Sequence, residues 1–329
     1  MRLAIPEKAK HVKHTYEIKP TNFNTLPDDK RLLALAKFYR LLAAIQKPIR
    51  IIMQKDSLVL EIGNEKKILP IPRTFVVSNE PLEQILDQVG LEYAMVAKEP
   101  HWEIKSEQLN HLIMKDSVFA KCYTLYKTPA TLSAAWVHSL LGKADMVSVW
   151  IKPIESHKAV SQIQRYLSLV SSGATKSHDL RYRTEKGLAV LDALTKQQTK
   201  LFSISITTMI KADGLIGLKL HDKDFKTAMR TMMVSFDPTA ALQRQMLLDG
   251  IGKTLYFDLV SCGTFYPFVS ADMIEVPNGI VLGINLNTGA PIIYDYTLRE
   301  NYNILLLASS GAGKSMTAKT LYGDRKSVV

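Results

Sequence analysis

The chain has 329 residues, 42 Lys+Arg against 31 Asp+Glu (net +11), 47% hydrophobic residues and two cysteines. That composition excludes disulfide-stapled miniproteins and broadly disordered chains, because enough apolar side chain is present to build large cores. No apolar stretch exceeds about ten residues, half of what a bilayer-spanning helix needs, and residues 1–14 lack the apolar centre of a secretory signal, so a cytoplasmic location is expected.

Pro27-Asp28-Asp29 is a helix-start signal, and Leu32, Leu35, Ala36, Tyr39, Leu42 and Ala43 recur at helical spacing, which predicts a helix over 29–46 ended by Pro48. Short strands follow at 49–53, 57–62 and 67–71, joined at Asp56 and at Gly63-Asn64. Residues 81–90 read as helix, 93–97 and 117–127 as extended, 136–141 as a short helix and 146–154 as a strand. Helix is expected at 156–171 and again at 180–197, with a break at Ser171-Ser172-Gly173-Ala174. Alternation of Phe202, Ile204, Ile206 and Met209 with polar residues predicts a half-buried strand over 201–211. A helix at 222–233 and a helical or irregular piece to 249 complete an α+β region placed at 1–275, with a possible internal break near 130–145.

Charge is uneven along this order: +7 over residues 1–60, −4 over 61–120 and +7 over 121–200. The basic stretches are either solvated faces or surfaces for an acidic partner. They lack the dense, aromatic-interleaved pattern of a dedicated nucleic-acid surface. Cys122 and Cys262 read as reduced, buried thiols, His11 and His14 as part of a basic start, and Trp102, Trp136 and Trp150 as core or interface anchors.

From 276 the texture changes. Strands are expected at 279–284 and 291–294 around a turn at 285–290, and Ile304-Leu305-Leu306-Leu307 suits a strand buried on both faces. Ala308-Ser309-Ser310-Gly311-Ala312-Gly313-Lys314-Ser315 then fits the phosphate-binding loop, with Ala in place of the first Gly. Gly311 and Gly313 allow positive φ and let backbone N–H groups approach a phosphate. Lys314 supplies an ammonium to the β- and γ-oxygens, Ser315 a hydroxyl for Mg²⁺, and a helix over 316–322 points its N-terminus at the same phosphates. The expected cofactors are ATP and Mg²⁺, bound by residues Ser309, Ser310, Gly311, Ala312, Gly313, Lys314, Ser315 and Met316. Hydrolysis also needs an acidic residue on a second strand. Asp258 follows an apolar run but reads as structural, and Asp295 is open to two readings, a site residue or a turn cap.

Phe265-Tyr266-Pro267-Phe268-Val269-Ser270, then Gly279-Ile280-Val281-Leu282-Gly283-Ile284-Asn285, residues 291–295 and Asn301-Tyr302-Asn303 before the loop resemble the TraC-like conjugative transfer ATPases of VirB-type type IV secretion systems. The likeness is close over about the last 60 residues and weaker at 123–136 and 147–153. The resemblance implies an α+β docking domain followed by the truncated start of a RecA-like P-loop domain of the HerA/FtsK class at 276–323. It further implies a homo-hexameric ATPase, peripheral at the inner face of the cell membrane, with secretion-channel or conjugation proteins, or DNA, as partners. Within such a fragment only Lys314 belongs to the catalytic set. Residues 324–329 translate a common sequencing-library adapter, so native sequence is expected to end near residue 323. Two other readings are a HerA- or FtsK-like DNA translocase and a non-catalytic docking module.

Overall fold

A computed structural model of the chain describes residues 13–323, apart from 22, 24–25, 63–64, 130–131, 172–177, 271–272, 274, 276–278, 286–290, 299–304, 308 and 310. His11, Ser310, the break after Ser171, most of the turn at 285–290 and the six-residue tail therefore fall outside it. Two compact units emerge, one of Met1–Lys55 with Pro72–Val269, the other of Asp56–Ile71 with Ser270–Val329. This division differs from the expected boundary at 275, and it assigns a stretch from early in the chain to the second unit.

The large unit opens with β1 (His14–Ile18) and α1 (Asp28–Ala44). Asp28 and Asp29 occupy the first turn of α1, where carboxylates oppose the helix dipole. The helix stops where Ile45 turns extended, three residues before Pro48. Its inner face buries Phe38, Leu41 and Leu42, each contributing roughly 1.5–3 kcal/mol.

Next come β2 (Ile49–Ile62) and β3 (Glu65–Ser78). They replace the three short strands expected here: β2 runs through Asp56 without a break, and β3 contains both Pro70 and Pro72. Proline is tolerated because β1 lies only along Thr74–Ser78 of β3, leaving the proline stretch without that neighbour. The far part of both strands, Asp56–Ile71, groups with the second unit.

Further along are α2 (Glu83–Val89), β4 (Tyr93–Val96), β5 (Ile104–Glu107), β6 (Leu112–Met114), β7 (Val118–Lys127), α3 (Trp136–Leu141) and β8 (Met146–Ile154). Then follow α4 (Ser156–Ser171), α5 (His178–Thr195), β9 (Leu201–Asp213), α6 (Leu215–Thr231), β10 (Ser235–Asp237), α7 (Gln243–Asp249) and β11 (Leu255–Asp258). Gly90, at φ 74°, ends α2 with its N–H and that of Leu91 both donating to the Leu86 carbonyl, a glycine-dependent stop.

The strands form one sheet in the order β4-β1-β3-β2-β8-β9-β7-β6-β5, with β10 on β7 and β11 on β9. Every pair with a defined register is antiparallel. No division falls near 130–145, since β7 and β8, on either side of that stretch, both pair with β9. Period-two alternation predicts a half-buried β9, yet residues 204–210 are all buried. One face carries Ile204, Ile206 and Ile210 into the main core with α1, α3 and α6; the other carries Met209 into a second core with Met246 and Leu247 of α7. Its Ser and Thr residues thus mark a covered face of small side chains, not a wet one.

The second unit contains a hairpin of β12 (Ile280–Ile284) and β13 (Pro291–Tyr294), bulged between Val281 and Gly283, and α8 (Lys314–Gly323). Residues 305–307 have no regular structure, and Leu305 and Leu307 are 81% and 83% exposed. The expected buried strand is therefore not formed there. A strand needs a neighbour to take its backbone groups, and among the described residues none is laid along these three.

Candidate phosphate-binding loop

The segment expected to bind phosphate turns from irregular backbone into α8 at Lys314. Gly311 has φ 83° and Gly313 φ 77°, conformations that side chains with a Cβ rarely adopt. Open space surrounds the position of a Cβ at either glycine, so the loop backbone is accessible to a ligand. Ala312 N donates to Ser309 O at 3.3 Å, and the N–H groups of Met316 and Thr317 both donate to Gly313 O at 3.0 Å. Helical bonding thus begins at the Gly313 carbonyl, and the N–H groups of Lys314 and Ser315, in the first turn, have no place in the helical ladder. Lys314, Ser315 and Met316 are exposed, as is Ser309. Thr317, not part of the motif, adds an Oγ1 hydrogen bond to Gly313 O at 3.2 Å. A Thr one turn past a loop glycine is the signal that marks it.

The two carboxylates weighed from sequence are engaged elsewhere. Asp258, in the large unit, accepts a hydrogen bond from Ser261 Oγ at the start of the 3-10 turn Ser261–Phe265. Asp295, 4% exposed, accepts from Thr297 N at 2.8 Å and Thr297 Oγ1 at 2.5 Å. Its own N–H donates to Glu275 Oε2 at 2.7 Å. Of its two readings, the turn cap is the one realised.

Other singled-out residues are structural. Phe265, Tyr266 and Phe268 lie at 0–1% exposure in the core of the large unit, against Phe23, Phe38 and Trp136. Cys122 and Cys262 are free and buried, and burial pushes the Cys122 thiol up to about 12 and raises Cys262 likewise. Trp102 and Trp150 flank the Arg50 guanidinium at 5.6 and 5.0 Å. Among the described residues no helix is long and apolar enough to cross a membrane, and no group of three or more His, Cys, Asp or Glu is placed to hold a metal ion. No protein-family model matches the chain, and a comparison with curated proteins finds no similar sequence.

Proposed function

We propose that this chain is the N-terminal part of an ATP-hydrolysing motor of the type IV secretion and conjugation class, with Gly311, Gly313, Lys314 and Ser315 as its triphosphate and Mg²⁺ ligands. The observation that carries the reading is the pair of positive-φ glycines immediately before the first turn of α8, within the sequence Ser-Gly-Ala-Gly-Lys-Ser. These residues fit the group: both glycines are open where a Cβ would stand, and Lys314 and Ser315 are exposed. When bound, MgATP supplies the cleavable phosphoanhydride. The chain's own residues orient it, Lys314 offering a positive charge to its oxygens and Ser315 a hydroxyl to the metal. The large unit is then the docking domain for channel proteins at the membrane, in a hexameric assembly that moves protein or DNA.

With Asp258 and Asp295 both occupied by local hydrogen bonds, nucleotide binding without appreciable turnover is the expected behaviour of the 329-residue chain itself. Titration with a fluorescent ATP analogue in Mg²⁺ tests the site. Saturable binding is expected for the wild type, weakened at least about ten-fold in Lys314→Ala, with the far-ultraviolet circular dichroism unchanged. Equal affinity of wild type and variant rejects the assignment, as does turnover by the chain that survives this substitution.

A further inference from the structure

The large unit has a concave surface that neither its core nor the phosphate loop explains. A groove of about 490 Å³ runs between α1 and the segments after β1 and α2. Its α1 wall presents Lys30, Leu33, Ala34 and Lys37, spaced i, i+3, i+4, i+7 on one helix face. On this face Leu33 is 55% exposed, whereas Ala34 borders the core in which Phe38, Leu41 and Leu42 are buried farther along the helix. Leu91 stands on the other side, and Tyr266, only 1% exposed, closes the bottom.

The rim is basic beyond what its partners neutralise. Lys19 pairs with Glu92 at 2.8 Å. Lys37 Nζ donates to the Gly90 carbonyl at 2.6 Å and has the same Glu92 carboxylate as its nearby opposite charge. Lys30 makes no ion pair among the described residues. Three ammonium groups therefore face one carboxylate around an apolar trough.

We propose that this groove docks an acidic peptide segment of a partner protein, with an apolar side chain against Leu33 and Ala34 and carboxylates directed to Lys30 and Lys37. A concave trough disfavours a lipid bilayer, whose flat surface reaches the rim lysines and leaves the bottom empty. Nucleic acid fits poorly because Tyr266 is buried and offers no face for base stacking. Lys30 and Lys37 are seven positions apart on the helix, about 10 Å along the axis. Side chains of an extended peptide share a face only at every second position. Positions four apart lie about 13 Å from each other, within reach of two flexible lysines, so the ligand should carry two acidic residues four apart with an apolar residue midway between them.

The probe is a fluorescein-labelled synthetic peptide with two Glu four positions apart and Leu midway between them, read by anisotropy against the full chain. Saturable binding is expected, about ten-fold weaker for Lys30→Glu and for Leu33→Asp, and unchanged for the exposed Lys219→Glu. A control peptide with Ser replacing Leu should bind about ten-fold more weakly than the parent peptide. The proposal is overturned if no peptide of this spacing binds, if the Ser peptide binds as well as the Leu peptide, or if both groove variants bind like wild type. Phosphatidylserine vesicles provide the third arm. Vesicle binding that is lost in Lys30→Glu, with peptide binding unaffected, would reassign the surface to lipid and reject the peptide.

Discussion

Gln243 does the work of a missing piece of strand. The outer edge of β7 is taken by β6 at Phe119 and Ala120 and by β10 from Thr124 onward, which leaves Cys122 between them. Gln243, wholly buried, accepts from Cys122 N at 2.6 Å through Oε1 and donates to Cys122 O at 3.2 Å and Pro238 O at 2.7 Å through Nε2. Gln243→Leu keeps the bulk but strands the N–H and C=O of Cys122, and should lower stability by about 2–5 kcal/mol in a denaturant titration. A loss below 1 kcal/mol would show that water or a shifted β10 replaces the amide. Asp222 is a second such residue. Burial raises its carboxyl, but hydrogen bonds from Tyr123 Oη, Lys121 Nζ and Lys226 Nζ outweigh burial and hold it below the ordinary aspartate range. A carboxyl depressed in the folded state stabilises fully above its unfolded value near 4 and loses that contribution as pH falls through the folded value. Asp222→Asn should therefore be less stable than wild type at pH 7, with the difference shrinking below about pH 4. A difference constant from pH 7 to 2 would contradict this.

Elements with one strong local signal were legible in the sequence: α1 from its acidic start and the approach to Pro48, α3 and β8 to the residue, α4 and α5 on either side of the Ser-Ser-Gly-Ala break. Those set by distant contacts were not. β9 reads as half-wet because Ser203, Ser205 and Thr207 alternate with Ile, and only the packing of α7 shows that face to be covered. α6 begins seven residues earlier than its periodicity suggests, since Leu215 and Ile216 are apolar yet 45% and 79% exposed, off the face that buries Leu218, Phe225 and Met229. β5 and β6, four and three residues long, have too few positions for a period to register. The phosphate loop is legible down to its glycines, whereas the groove beside α1 left only a diffuse trace, the +7 charge of the first sixty residues. At element ends the sequence also states a steric requirement, as at Gly250, the stop of α7. It has φ 65°, and a Cβ there would lie 2.1 Å from the Trp150 ring. Gly250→Ala should cost about 2–4 kcal/mol, combining left-handed strain with displacement of the indole. Thermal unfolding measures it, with Trp fluorescence reporting the ring, and an unchanged midpoint would mean that the α7 stop is free to rearrange.

The two units differ in how their backbone hydrogen bonds are protected, and this makes the division testable. In the large unit β9 is bonded on both edges, to β8 along Leu201–Met209 and to β7 and β11 opposite, and it is buried on both faces. Its amides can exchange only by opening the sheet itself. In the second unit β12 has β13 as its one strand neighbour among the described residues, β13 gains only the Met273 and Glu275 backbone bonds at Ile293, and Val281, Leu282 and Ile284 are about half exposed. A two-stranded hairpin of this kind is marginal by itself. The first two turns of α8 are exposed at nearly every position. Hydrogen–deuterium exchange followed by mass spectrometry should therefore separate them, with peptides from β8 and β9 protected to the level of global unfolding and peptides covering 305–319 exchanging orders of magnitude faster. If the phosphate loop holds nucleotide, MgATP should slow exchange at 309–316 and leave β8 and β9 unchanged. Equal protection of β9 and α8 in the free chain would contradict the division. Slowing confined to the large unit would leave the division intact and place the nucleotide elsewhere.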